Sequence, residues 1–220
     1  MHFRPVTRAN ISRLVVGTAA AGLLVGLAAP ASSAAQDKAP ATAAAVLQAA
    51  DPQATYAQLS ADERAEFNAR YLPASTTVTE EIKPADATAF KSAAAGIAPN
   101  SIGEVQASGC WYGKATGSSR AAAGNTLYTF WVENTWCSNG SRVTSNSYRT
   151  ADGETSTPGW RYEGVQTKGA GIVGNQGRAW AKHLFVLGVG GWDIQSPNEC
   201  IRVKGAASGT AYADRVCSIM

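Results

Sequence analysis

The sequence predicts a mainly β fold, a disulfide-stapled antiparallel β-sandwich or barrel preceded by a short helical, partly disordered region. Two observations carry this prediction. Beyond about residue 101, Gly, aromatic and β-branched residues become frequent together, and polar turn residues recur at hairpin spacing. All four cysteines also lie in this part of the chain. We therefore divide the chain into a signal peptide (1–35), an Ala-rich acidic helical region with a linker (36–100) and a β-domain (101–220).

The first residues have the pattern of a secretory signal peptide. Arg4, Arg8 and Arg13 precede an apolar run from Leu14 to Ala29, and small residues follow it. The run is shorter than the roughly 20 apolar residues that a membrane span needs. We expect cleavage near residue 35, a secreted protein, and no membrane association after cleavage.

The charge balance argues against a nucleic-acid partner. The whole chain has 19 Lys and Arg against 16 Asp and Glu, and three of its arginines lie in the predicted signal peptide. The mature chain is therefore close to neutral, and it has no basic run or stripe. Acidic residues dominate the front region and basic residues the back region. This asymmetry leaves open a protein-binding inhibitor or effector whose front region shields the β-domain.

The front region is expected to contain one well-defined helix. Ser60 and Glu63 have the spacing of a capping box, and acidic residues follow in the first turn. Pro73 is expected to end this helix. The stretch from residue 73 to residue 100 mixes Pro, Thr and Ala with little periodicity, so we expect a partly ordered linker there.

The back region is expected to form about seven strands. In LYTFWVE, from Leu127 to Glu133, Tyr128, Phe130 and Val132 share one face, and the opposite face carries Trp131. About 115 residues are enough for one β-sandwich or barrel.

The four cysteines allow three pairings. We favour Cys110–Cys137 and Cys200–Cys217, because each would join neighbouring strands and close a moderate loop. A loop of this size typically contributes about 3 kcal/mol by restricting the unfolded chain. A zinc site would need closer pairs such as C-x-x-C. Trp111 and Trp136 adjoin two of the cysteines and are expected to pack beside the first disulfide.

Several catalytic and cofactor motifs are poorly supported. GAGIVG, Gly169–Gly174, matches a dinucleotide fingerprint in letters, but strand-like residues follow it rather than a helix. His183 is the one histidine after the signal peptide and lies in an apolar strand, so neither a transition-metal site nor a catalytic triad is supplied. We predict no cofactor and no metal, and favour a non-enzymatic function.

The aromatic residues indicate recognition. Exposed Trp and Tyr rings can stack on sugar rings or anchor a protein partner. The sequence therefore predicts a secreted binding protein for a glycan or cell-wall polymer, with an extracellular protein as the other partner class. The candidate ligand-binding residues are Trp160, Tyr162, Trp131 and Trp192.

A secreted glycoside hydrolase is the alternative. Glu154 and Glu163 bracket the aromatic stretch TPGWRYEG. Two carboxylates beside aromatic rings are the groups that glycoside hydrolysis requires.

The elements GCWYG, NTWCSNG, TPGWRYEG and the last cysteine together resemble small secreted proteins of actinobacteria. The resemblance covers about residues 105–220. It implies a secreted bacterial protein with a β-rich domain, and it transfers no catalytic residue.

Overall fold

A computed structural model describes residues 42–85, 108–189 and 192–220. The predicted signal peptide and the expected boundary near residue 100 lie outside these described residues. No helix among the described residues is long and apolar enough to cross a membrane.

Short helices open the described chain. Residues 42–47 are helical, and α1 (Pro52–Gln58) and α2 (Ala61–Tyr71) follow. The predicted capping box at the start of α2 is confirmed, because Ser60 and Glu63 exchange side-chain and backbone hydrogen bonds. Leu72 caps the C-terminus of this helix, directly before Pro73.

The rest of the described chain is strand. In chain order the strands are β1 (Pro73–Pro84), β2 (Gly109–Ala121), β3 (Thr126–Ser138), β4 (Val143–Thr155), β5 (Trp160–Val173), β6 (Gln176–Val189), β7 (Trp192–Gln195), β8 (Asn198–Ala206) and β9 (Ala211–Asp214).

These strands form two antiparallel sheets, as the sequence predicts. Sheet A has the order β1-β2-β3-β4, and every neighbour is joined to the next by antiparallel pairing. Sheet B has the order β5-β6-β8-β9, and β7 pairs with the far end of β6. The inner faces of the two sheets pack against each other as a β-sandwich.

The structure contradicts the first part of the linker expected after residue 73. Residues 73–84 form β1, which pairs with β2 along its length from Pro73↔Ala121 to Pro84↔Trp111. The stretch was missed because its Thr and Glu side chains lie at a mostly exposed sheet edge. An edge strand lacks the hydrophobic alternation that identifies a half-buried one. The front region thus contributes a strand to the β-sandwich.

Both favoured disulfides are present. Cys110 is bonded to Cys137 and Cys200 to Cys217, and no cysteine is free. Cys110 and Cys137 are direct partners across β2 and β3. Cys217 lies beyond β9 and is therefore tied back onto β8. Disulfides persist in oxidising compartments, so the structure fits a chain that matures outside the reducing cytosol.

Trp136 is the largest of the fully buried side chains in the shared core. It is fully buried, and its Nε1 donates a hydrogen bond to Ala206 O at 2.9 Å, across the two sheets. The approach is so close that a Cβ on Gly113 would lie 2.8 Å from its ring. Trp111 stacks on Trp136 with ring centroids 6.0 Å apart. This pair is next in register to Cys110 and Cys137, so alternation places the rings on the inner face and the disulfide on the outer face of sheet A.

The helices cover one end of the sandwich. Ala43, Val46 and Phe67 belong to the same buried cluster as the core of the two sheets. Trp160 Nε1 donates to the carbonyl of Tyr71 at 3.1 Å, which ties β5 to the end of α2. The helical segment and the sandwich therefore share one hydrophobic core.

Candidate functional site

The outer face of sheet A is the candidate site. Side chains alternate between the faces of a strand. In β2 the buried Gly113, Ala115 and Gly117 point inward, so the residues between them point outward. Register then defines the outer face of sheet A, which we call face A. Its members include Thr77, Thr79, Glu81, Lys83, Tyr112, Lys114, Thr116, Ser118, Thr129, Trp131, Glu133, Thr150, Asp152 and Glu154. Arg149 has no partner in the register, and its contact with the Tyr112 ring places it on the same face.

Two half-buried aromatic rings lie on face A. Tyr112 is on β2, and Trp131 is on β3 opposite Thr116. Four residues along the strands separate the two rings, which is about 13 Å at the usual rise per residue. This distance suits two separate contacts with one extended ligand.

An ion pair lies between the rings. Lys114 Nζ is 3.6 Å from Glu133 Oε1, and the two residues are direct cross-strand partners. Their side chains are only 27% and 16% exposed, so the pair is part of a packed surface. The Lys114 ammonium also lies 4.5 Å from the centroid of the Trp131 ring, a cation–π contact that orients the indole.

Tyr112 belongs to the same network. Burial first, and then the neighbouring Glu133 carboxylate, raise the pKa of Tyr112, so this hydroxyl stays protonated beside the carboxylate. The guanidinium of Arg149 lies 5.9 Å from the centroid of the Tyr112 ring. Both aromatic rings are therefore held by neighbouring charged side chains before any ligand arrives.

Hydroxyl groups surround this centre. Thr116 and Ser118 continue β2, Thr77 and Thr79 lie opposite them on the exposed β1, and Thr129 donates to Glu154 at 2.9 Å. Such groups can both donate and accept hydrogen bonds. Face A thus combines two aromatic rings, an ion pair and several hydroxyl groups.

The four predicted ligand-binding residues do not come together. Trp131 lies on face A. Trp192 is 47% exposed, but it lies on β7 in the other sheet. Tyr162 is half-buried, and its hydroxyl is 2.8 Å from His183 Nδ1.

The structure corrects the prediction that Trp160 is an accessible ligand-binding residue. Its side chain is 5% exposed and packs at 4.8 Å from the Tyr128 ring, under the end of α2. The flexible-looking loop before it suggested exposure, but the helical segment covers the ring. Trp160 is a core residue in this structure and cannot stack on a ligand as placed.

The two candidate catalytic carboxylates lie on different sheets. Glu154 is at the end of β4 on face A and accepts from Thr129. Glu163 is on β5, where it accepts from Arg161 at 2.9 Å, and Arg161 also pairs with Asp193. Each carboxylate is held by its own local partner. Glu133, which is on face A, is the carboxylate beside the two rings.

His183 is a buried residue. It is fully buried beside Phe130, and burial lowers its pKa to about 4. Its Nε2 has no hydrogen-bond partner. A neutral, inaccessible imidazole of this kind contributes to packing and cannot reach a ligand at the surface. The described residues also hold no cluster of His, Cys, Asp or Glu suited to a metal ion.

The outer face of sheet B, which we call face B, is covered by the chain itself. Residues 215–220, the C-terminal strap, cross it and are tied down by Cys200–Cys217. Arg202 Nη1 donates to Ser218 O at 2.8 Å, and Arg178 Nη1 donates to Ile219 O at 2.8 Å. Arg202 is only 7% exposed beneath the strap. Among the described residues, no segment covers face A in this way.

Comparison with known proteins identifies no relative. No family model, no curated protein and no solved structure matches the chain.

Sequence reasoning missed most of face A. Tyr112, Lys114 and Glu133 were not among the predicted ligand-binding residues. The signal was present in GCWYGKATG, where small residues alternate with large polar or aromatic ones. This alternation indicates a strand whose small residues lie under bulky core groups, with its larger residues facing outward.

Proposed function

We propose that this is a secreted, non-enzymatic bacterial protein that binds a glycan or cell-wall polymer on face A. Secretion follows from the signal-peptide pattern, and two disulfides are consistent with it. The observation that carries the ligand class is the pair of rings, Trp131 and Tyr112, on an open face rich in hydroxyls. Aromatic rings stack on the apolar faces of sugars, and hydroxyls and charged groups bond to their edges.

The charges of face A favour a neutral polymer. The Lys114–Glu133 pair cancels at the centre, and Lys83 pairs with Glu81 on β1. The named members of face A include three basic and four acidic residues, a net charge of −1, so this face has no positive field to attract a polyanion. Binding should therefore change little between low and high salt, since salt screens only the charge-driven part.

The first experiment is a depletion assay with residues 36–220. Chitin, cellulose, xylan and an insoluble cell-wall fraction are each mixed with the protein, and the protein left in solution is measured. We expect depletion by at least one polymer. Trp131→Ala and Tyr112→Ala should each weaken that binding about tenfold or more, which corresponds to about 1.4 kcal/mol.

Trp192→Ala is the matched control, because it removes an exposed tryptophan from the other sheet. It should bind like the wild type. Wild-type binding by both face A variants would contradict the proposal, and loss in Trp192→Ala alone would move the site to β7. Reducing sugar released into the supernatant, and abolished by Glu154→Gln or Glu163→Gln, would support the hydrolase instead.

A further inference from the structure

A pocket at the helical end of the molecule forms a second candidate site, separate from face A. It has a volume of about 320 Å³ and lies where the end of α2, the β2–β3 turn and the β4–β5 loop meet. We call it the helix–turn pocket. Its lining residues are Arg70, Tyr71, Ala123, Asn125, Thr157 and Pro158.

Hydrogen bonds fix the three segments relative to one another. Ala123 N donates to Ala69 O at 2.7 Å, which joins the β2–β3 turn to α2. Thr157 Oγ1 donates to Thr126 O at 2.7 Å, which joins the β4–β5 loop to the start of β3. The pocket is therefore formed before any ligand binds, and a ligand would not have to order its walls.

Asn125 connects all three segments. Its Nδ2 donates to Arg70 O at 3.0 Å and to Thr157 Oγ1 at 3.1 Å. Because a backbone carbonyl can only accept, the contact with Arg70 O fixes which way the amide points. Both amide hydrogens are thus used within the protein, and Oδ1 is left to accept a hydrogen bond.

Arg70 supplies the one charge in the lining. Its side chain is exposed, and it makes no hydrogen bond or ion pair with any described residue, although its backbone carbonyl is bonded to Asn125. No carboxylate lies among the lining residues. A guanidinium with all its donors open, in a concave site without a counter-charge, favours a carboxylate ligand.

We propose that the helix–turn pocket binds a small carboxylate that carries an adjacent N–H group, as an N-acyl amino acid does. Arg70 pairs with the carboxylate, and the Oδ1 atom of Asn125 accepts from the N–H. Tyr71, Ala123 and Pro158 provide apolar wall for the carbon atoms between them. The same chemistry occurs in a free acyl amino acid and at the carboxyl end of a peptide.

Amide chemical shifts of the ¹⁵N-labelled mature chain test this proposal. N-acetylglycine is the probe, and N-acetylglycinamide is the matched control that lacks the charge. We expect N-acetylglycine alone to shift the amides of Ala123, Asn125 and Thr157. Arg70→Ala should weaken binding about tenfold or more, and Arg70→Lys should weaken it less.

Arg142→Ala is the control for loss of one surface charge. Arg142 is exposed in the β3–β4 turn, at the opposite end of β3 from the pocket, and this substitution should leave binding unchanged. An N-acetylated tripeptide with a free carboxyl end separates the two sources. Clearly tighter binding than N-acetylglycine indicates a peptide end, and equal binding indicates a free small acid.

Three results would overturn the proposal. These are the absence of any shift at the pocket amides, equal binding of the amide control, and unchanged binding in Arg70→Ala. Face A variants such as Trp131→Ala should leave this titration unchanged, so its outcome is distinguishable from that of the glycan proposal.

Discussion

The two outer faces of the sandwich carry similar residue types but are used differently. Each has a tryptophan, a disulfide and ion-paired basic residues. On face B the chain covers its own basic residues with the C-terminal strap, and Arg202 is buried beneath it. On face A the side chains bond to one another and stay accessible. Composition alone would not distinguish the faces, whereas coverage by the chain does.

Removing the two disulfides separately should show that only one of them holds the strap on face B. Replacing either pair by serine should cost about 3 kcal/mol of unfolding free energy, because the loops span 27 and 17 residues. Cys200→Ser with Cys217→Ser should also release the strap, since that bond ties it to β8. Cys110→Ser with Cys137→Ser should leave the strap in place.

Urea unfolding measures the first effect, and hydrogen exchange of residues 215–220 measures the second. Equal protection of the strap in both double variants would show that Cys200–Cys217 is not what holds the strap on face B.

Lowering the pH should destabilise the whole sandwich and not one face, because the group that titrates, His183, is buried in the core between the two sheets. The pKa of His183 is lowered by burial to about 4, below the usual value of about 6.5. The unfolded chain therefore binds the proton more readily between these values. The contribution of neutral His183 to the free energy of unfolding is present in full above pH 6.5. It is lost as the pH falls towards 4, which lowers the stability by up to about 3 kcal/mol.

Urea unfolding from pH 7 to pH 4 checks this sign. His183→Gln should flatten the dependence in that window even if it lowers stability throughout. A wild-type profile that is flat, or a variant profile as steep as the wild type, would contradict this role for the imidazole.

Ion pairs on the two faces should differ in strength. Arg202→Ala removes a buried guanidinium that pairs with Asp214 at 2.8 Å and holds the strap. We expect a loss of about 2 kcal/mol, because a partly buried carboxylate loses a partner. Lys114→Ala breaks a longer pair, 3.6 Å, whose base is 27% exposed against 8% for Arg202, and it should cost under about 1 kcal/mol. Thermal or urea unfolding compares them, and equal losses would remove this distinction between the faces.

The smallest effect is expected at Glu154 on face A. Glu154→Gln changes an exposed carboxylate that accepts from Thr129, and it should alter stability by less than about 0.5 kcal/mol. Polymer binding should stay within twofold of the wild type. A complete loss of binding would mean that this carboxylate takes part in the site.

How much the sequence predicts depends on how local the signal is. The two disulfides and the capping box at Ser60 were predictable, because spacing and neighbouring residues define them. β1 was not, because an exposed edge strand of Thr and Glu looks like a linker. Its place is set by pairing with β2, whose partner residues lie 27 to 48 positions further along the sequence.

Exposure of the aromatic residues was the least predictable property. Trp160 follows a polar loop and looks accessible, yet α2 packs over it from a distant part of the chain. Tyr112 follows a cysteine and a tryptophan and looks like a core residue, yet strand alternation turns it outward. The face of a strand follows from alternation, but what covers that face is set by tertiary contacts.

The most direct measurement compares one tryptophan from each outer face. Trp131 lies on face A, and Trp180 lies on face B, opposite Gly169 and half-buried. Binding isotherms on the polymer that depletes the wild type should be recorded for Trp131→Ala and Trp180→Ala. We expect a loss of about tenfold or more for Trp131→Ala and a change within twofold for Trp180→Ala. The reverse order would contradict this expectation and place the ligand on the face that the strap covers.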